Sequence, residues 1–250
     1  MKITFLGTGS WNLQADRMGP SLLVEDEGAA ILVDCGEGAG RRLLATGKAV
    51  DDIDAILITH THVDHIAGLL PYLFHSRIKL TRQKPLVIAG PPELDFVLKA
   101  LPHCGDETLF HKELPIEFQA LNPPASIKVG PFHISAHQVV HKNITLGFRI
   151  EASEKSLAIS GDTEPCDELL KLAENADIFI CEAASLAEIP GHTTPTQAGE
   201  IARKANVKLT ALVHMPPDAD PEHYAAMCAK QFDGPIETPK DLDILEIYTK

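Results

Sequence analysis

No stretch of this sequence is apolar for long enough to span a bilayer. The amino terminus, Met1-Lys2-Ile3-Thr4-Phe5-Leu6-Gly7, reads as a strand running into a glycine turn. It lacks the longer apolar run and small-residue cleavage site of a secretory signal. Both absences predict a cytoplasmic protein with no membrane partner. Cysteine is sparse and unpatterned. Cys35, Cys104, Cys166, Cys181 and Cys228 are odd in number and form no CxxC pair. That argues against a zinc ribbon or a disulfide framework and predicts reduced thiols packed as small apolar groups. Basic residues are outnumbered, 22 Lys and Arg against 35 Asp and Glu, for a net charge of −13. An acidic surface repels phosphate backbones and does not suit general nucleic-acid binding, although divalent ions bound in a cleft would reverse the local field. Linker-like, low-complexity and repeated segments are absent as well.

What remains is an ordinary globular composition, 44% hydrophobic and 23% charged over 250 residues, which predicts one domain, residues 1–250. Strands are expected at 2–6, 21–25 and 30–33. A continuous apolar run at 53–59 has the character of a buried strand. A helix over 65–74 follows, with Pro71 at odds with it, then a strand at 85–90 and a helix at 93–101. The second half repeats the style. A half-buried strand is expected at 131–137, with a hairpin of 145–151 and 156–160 turning at Ser153-Glu154-Lys155. Helices at 166–174, 194–205 and 221–231 alternate with strands at 177–181, 208–213 and 242–248. Two sheet-rich halves, each flanked by helices, predict an α/β four-layer αββα sandwich.

His60-Thr61-His62-Val63-Asp64-His65 directly follows the buried strand, and strand ends are where α/β sheets place active sites. In an extended segment His60 and His62 point the same way, because side chains alternate with period two. Asp64 and His65 fall at the turn into the next helix. One short segment therefore feeds two adjacent sub-sites with imidazole and carboxylate, the ligands that zinc and related ions prefer.

This HxHxDH segment resembles the signature of the metallo-β-lactamase superfamily at every position. The resemblance implies further ligands. Three residues fit in the right order: His141 in Val139-Val140-His141, Asp162 in Ser160-Gly161-Asp162-Thr163, and His214 in Ala211-Leu212-Val213-His214. Each is a polar residue at the mouth of an apolar strand. The implied arrangement holds one ion on His60, His62 and His141 and a second on Asp64, His65 and His214, with Asp162 bridging both. His137 is the competing third histidine. Asp34, closing the apolar run Ile31-Leu32-Val33, is expected to accept a hydrogen bond from a ligand histidine.

Redox diiron members of the superfamily usually carry Glu at the second histidine of the signature, so His62 points to hydrolysis. Glyoxalase-like thioesterases usually add a helical C-terminal domain that 250 residues hardly allow. A second constellation is similar to the ribonuclease Z branch: Glu182-Ala183 after a strand, His192-Thr193-Thr194 opening a helix, and His214. Phe5-Leu6-Gly7-Thr8-Gly9-Ser10 and Val33-Asp34-Cys35-Gly36-Glu37-Gly38 match that branch too. His192 precedes a helix N-terminus, where anions are favoured, and Thr193 or Thr194 is expected to cap that helix. The implied chemistry is phosphodiester hydrolysis with two divalent ions, Zn2+ first, with Mn2+ and Fe accepted by the same ligands. Asp64, His192 and Glu182 are the expected catalytic residues. Asp64 orients the nucleophile, and His192, set by Glu182, assists the departing alcohol. The expected substrate is a small anionic phosphodiester or nucleotide-like molecule. Alternatives are tRNA 3′-end processing, a lactone or sulfate ester, and a vestigial site; homodimers are frequent in that branch. The protruding arm of long-studied tRNA-processing members is missing between His141 and Asp162, where the sequence reads as a plain hairpin. One dense basic run, Arg77, Lys79, Arg82 and Lys84, is a candidate guide for an anion.

Overall fold

A computed structural model of the chain describes residues 1–79, 82, 84–104 and 116–248. Two seven-stranded mixed sheets lie face to face. The first contains β1 (Lys2–Gly7), β2 (Ser21–Asp26), β3 (Ala29–Val33), β4 (Ala55–Leu57), β5 (Leu86–Gly90), β6 (Ile116–Ala120) and the last strand, β14 (Ile244–Glu246). Their spatial order is β14-β1-β2-β3-β4-β5-β6. The second contains β7 (Ala125–Val129), β8 (Phe132–Val139), β9 (Thr145–Ala152), β10 (Lys155–Ile159), β11 (Ile178–Glu182), β12 (Thr210–Val213) and β13 (Ile236–Glu237). Here the order is β13-β12-β11-β10-β9-β8-β7. Each sheet joins an antiparallel half to a parallel one: β3, β4, β5 and β6 run parallel, as do β10, β11, β12 and β13.

Side-chain alternation assigns the layers. In β3, Ile31 and Val33 face the other sheet while Ala30 and Leu32 face outward. In β11, Ile178 and Ile180 face inward while Phe179 and Cys181 face outward. The inter-sheet core includes Phe5, Phe132, Phe148 and Ile150. Burying each of these contributes about 1.5–3 kcal/mol. Helices α1 (Ala39–Ala45), α3 (Leu69–Lys79) and α4 (Leu94–Ala100) cover the outer face of the first sheet through Leu43, Tyr72, Leu73 and Leu98. Helices α5 (Asp167–Ala173), α6 (Pro195–Lys204) and α7 (Pro221–Cys228) cover the second through Leu169, Leu172, Ile201 and Tyr224. The molecule is thus the four-layer αββα sandwich. Among the described residues no helix is long and apolar enough to cross a membrane.

Several local expectations change. The helix expected over 65–74 is two helices, a single turn α2 (Val63–Ile66) and α3. Gly68 lies between them, where a β-carbon would stand 2.2 Å from the Gly36 carbonyl oxygen. Pro71 then falls in the first turn of α3, where its missing N–H is no loss. The apolar run 53–59 is a strand only over Ala55–Leu57, since Thr59 and the histidines leave the sheet. The β9–β10 hairpin turns at Ser153 and Glu154, both with positive φ (51° and 60°), the twist a two-residue hairpin needs. Strands β6, β7 and β13 and helix α1 were not legible. The two longer strands sit at the sheet edges with half-exposed residues, β13 is only two residues long, and α1 opens on the glycine-rich Gly36-Glu37-Gly38.

The basic run does not form an anion guide at its described side chains. Arg82 is buried and donates to the backbone carbonyls of Val50, Ile53 and Pro85. Lys84 pairs with Asp54. The side chains of Arg77 and Lys79 lie outside the described residues.

Candidate metal centre

The C-terminal ends of the parallel strands in both sheets converge on one edge of the sandwich. Asp34 follows β3, His60 and His62 follow β4, Asp162 follows β10, Glu182 ends β11, and His214 follows β12. His141 follows β8 from the antiparallel half. Two cross-sheet hydrogen bonds, Leu146 N to Thr59 O (2.9 Å) and His214 N to Thr8 O (3.2 Å), lock these ends together. Asp34 and His214 both hold left-handed backbones, at φ 60° and 61°. Such strain is tolerated where the surroundings over-determine a functional position.

The side chains gather into two groups whose donor atoms lie within 4.8 Å of one another, His60, His62, His141 and Asp162, and next to them Asp64, His65 and His214, and His192 joins Asp162 and His214 in a third set at the same spacing. His141 Nε2 and His62 Nδ1 face each other at 3.2 Å. His214 Nε2 is 3.2 Å from Asp64 Oδ2 and 3.6 Å from Asp162 Oδ2. His65 Nε2 is 3.5 Å from Asp64 Oδ2 and 3.4 Å from Asp162 Oδ1. Asp162 therefore faces both groups. Two ligands on one tetrahedral ion with bonds of 2.0–2.1 Å stand about 3.3 Å apart, close to these spacings. His60 Nε2 and His65 Nε2 are buried and make no hydrogen bond. Unsatisfied buried nitrogens are costly, and lone pairs aimed at a common point beside a carboxylate are what a cation satisfies. The residues present fit divalent metal.

With the protein's own groups alone, electrostatics divide the histidines. Burial pushes the His60 imidazole far below its ordinary value, with His65 adding to the effect. Burial lowers His62 and His141 in the same direction. These rings are neutral and offer lone pairs. Burial alone would lower His65 too, but the carboxylates of Asp162 and Asp34 outweigh it and raise His65 well above the usual range. Burial alone would raise Asp162; His214 and His65 instead hold it well below the usual carboxylate range.

Outer residues aim the inner ones. Asp34 Oδ2 is 2.7 Å from His65 Nδ1, and Asp34 Oδ1 accepts from Thr59 N at 2.8 Å. The Thr59 hydroxyl lies 3.0 Å from His60 Nδ1. His141 Nδ1 donates to the Gly191 carbonyl at 2.7 Å, and Gly191 N donates to Glu164 Oε1 at 2.7 Å. Thr59, Glu164 and Gly191 escaped the sequence reading. Of these only Gly191, beside His192, carried a local signal. His137, the competing third histidine, is 3.2 Å from Glu168 Oε2 of α5 and belongs to neither group.

Glu182 is buried and accepts from Thr163 N (2.8 Å), Ala184 N (3.1 Å) and His192 Nδ1 (2.9 Å). Burial and then the Asp162 charge push its carboxyl well above the usual range, while burial lowers His192. His192 stacks near His214 (centroids 6.0 Å, planes 16° apart) and lies 5.0 Å from the His141 ring, so it overlooks the cluster. Thr194 caps α6 in a capping box with Gln197, with Pro195 in the first turn.

The chain is similar over its whole length to proteins of known family and structure. A ribonuclease Z of Mycobacterium bovis is 33% identical over 278 aligned positions, covering 100% of this chain and 99% of the relative. The alignment exceeds the 250 residues of this chain, so the relative carries segments missing here. The crystal structure of the short form of human tRNase Z is 25% identical with a TM-score of 0.79, covering 100% of both chains. The metallo-β-lactamase fold protein YhfI from Bacillus subtilis has a TM-score of 0.86 at 23% identity, covering 98% of each chain, and supports the fold. Residues 1–230 match the family described as anti-Pycsar protein Apyc1. With that match and full-length ribonuclease Z relatives, the chain belongs to the Apyc1 family within the metallo-β-lactamase superfamily, and is a ribonuclease Z-like, metal-dependent hydrolase.

Proposed function

We propose that the protein hydrolyses phosphodiesters with two divalent ions, Zn2+ foremost, held as the two histidine groups and the shared Asp162 imply. In this reading His60, His62 and His141 hold one ion, Asp64, His65 and His214 hold the other, and Asp162 bridges them. Two such cations supply Lewis acidity, acidifying water and offsetting charge on the phosphoryl oxygens. The chain's own residues do the rest. Asp64, on the one-turn helix α2, orients the attacking water. His192 fixes one nitrogen, Nδ1, on Glu182, which leaves Nε2 for a phosphate oxygen or the leaving alkoxide. An anionic substrate beside His192 raises its affinity for the proton it must deliver. The observation that carries the reading is the 2.9 Å contact of His192 with buried Glu182, which holds the ring against those of His141 and His214.

The test supplies purified, metal-loaded protein with bis(p-nitrophenyl) phosphate, a lactone panel and a precursor tRNA. Diester turnover should fall about 10²–10⁴-fold in His192→Ala with metal content unchanged. Lactone turnover without diester turnover sinks the reading.

A second reading, tRNA 3′-end processing, is favoured by the relatives named ribonuclease Z and tRNase Z. Against it stands the hairpin β9–β10, which leaves no arm between His141 and Asp162. Cleavage of precursor tRNA alone would establish this second reading.

A further inference from the structure

Trp11 is the chain's single tryptophan, and it stands 47% exposed on the loop between β1 and β2. Its ring lies 5.2 Å from the ring of His192 and 5.5 Å from that of His214. The indole is tilted 46° and 55° to the two imidazoles, so it stacks flat on neither.

The loop that carries it is pinned. The Asp241 carboxylate accepts from Thr8 N (3.0 Å), Thr8 Oγ1 (2.9 Å) and Met18 N (2.8 Å), and pairs with Arg42 Nη2 (3.2 Å). Arg17 Nη1 donates to Thr8 Oγ1 (2.6 Å) and to the Pro239 carbonyl (2.9 Å). Gln14 Nε2 donates to the carbonyl of Met215, next to His214 (3.1 Å). The indole is therefore presented at the cleft by a braced loop.

Chain neighbours of the metal-binding groups are apolar and open as well. Val63, between His62 and Asp64, is 75% exposed, and Val140, beside His141, is 48% exposed. An open aromatic face beside the histidine groups is what a nucleobase stacks on.

We propose that Trp11 is a specificity-determining residue that stacks on a flat heteroaromatic ring, a nucleobase, carried by the phosphodiester substrate. The proposal rests on the phosphodiesterase reading of the same site. Stacking places the base over the loop and the phosphate over the histidine groups, with His192 between them. A purely structural Trp11, shielding His214 from water, would affect every substrate alike.

Two measurements test it. The first compares thymidylyl-thymidine with the same dinucleotide built on abasic sugars. Trp11→Ala should cut the preference for the base-bearing substrate about tenfold, read in KM, and Trp11→Phe should restore most of it. Equal loss on both substrates, or no loss on either, overturns the proposal. The second uses the lone indole as a reporter. Emission of the metal-loaded protein should be quenched by thymidine 5′-monophosphate and not by deoxyribose 5-phosphate, and the signal should vanish in Trp11→Phe. Equal response to both ligands, or to neither, also overturns it. If wild-type protein turns over neither dinucleotide, the hydrolysis reading has failed, and the fluorescence titration alone decides the role of Trp11.

Discussion

Asp34 Oδ2 and His65 Nδ1 lie 2.7 Å apart, with both side chains almost wholly buried. The contact fixes which imidazole nitrogen of His65 faces Asp64 and Asp162. Asp34→Asn replaces one acceptor oxygen with a donor, and the amide that avoids His65 Nδ1 must then confront Thr59 N. Metal affinity should fall about 10–100-fold, measured by competition with a chromophoric chelator. Unchanged affinity would show that the contact does not position the ligand.

Gly191 has φ +86°, and a β-carbon there would sit 2.7 Å from His141 Nδ1. Gly191→Ala combines a left-handed backbone with a collision against the ring that its own carbonyl orients. On the two-ion proposal the expected result is loss of one of the two ions, counted as metal per protein, with a destabilisation of about 1–3 kcal/mol by denaturant titration. Full occupancy by both ions would refute the role given to the Gly191 carbonyl.

Chelation should lower thermal stability. The two ligand groups pack five imidazoles, those of His60, His62, His65, His141 and His214, around the carboxylates of Asp64 and Asp162, and only the folded chain assembles them. A ligand present at about a thousand times its dissociation constant stabilises by about 4 kcal/mol. For a domain of this size that corresponds to about 8–16 °C in Tm. Identical melting curves with and without chelator would argue that the site does not bind metal.

Acid sensitivity should include a contribution from Asp177. Burial alone would raise its carboxyl, but hydrogen bonds from Lys208 and Ser156 hold it below the ordinary 3.8. Ser156 N and Oγ donate to Asp177 Oδ2 at 2.7 and 3.0 Å, joining β10 to the start of β11. A depressed carboxyl stabilises fully above its unfolded value, and the contribution is lost as pH falls through its lower folded value. Asp177→Asn should therefore be less stable at pH 6, with the deficit shrinking below pH 3.8. A deficit independent of pH would assign the effect to packing.

Much of this was legible beforehand. The alternation in β8 follows from period-two burial between two sheets, and the apolar runs before His60, Asp162 and His214 follow from strands buried on both faces. The His60–His65 segment was readable because its ligands are consecutive. Glu164, Gly191 and Trp11 were not. Glu164 acts on a backbone amide 27 residues away, and the Gly191 carbonyl serves a histidine 50 residues distant. Neither has a spacing rule. Arg82, polar in sequence, does not serve as part of an anion guide because it is consumed by backbone carbonyls that only the folded chain brings within reach.

The linear order of residues determined which atoms are available as ligands, and periodicity determined which segments must be buried, because side-chain chemistry and strand pleat are local properties. Tertiary structure decided the rest: that His141 meets His62, that Asp162 faces two groups at once, and that Trp11 borders His192. Those relations depend on two sheets closing face to face until their strand ends meet, and no interaction between chain neighbours encodes that distance.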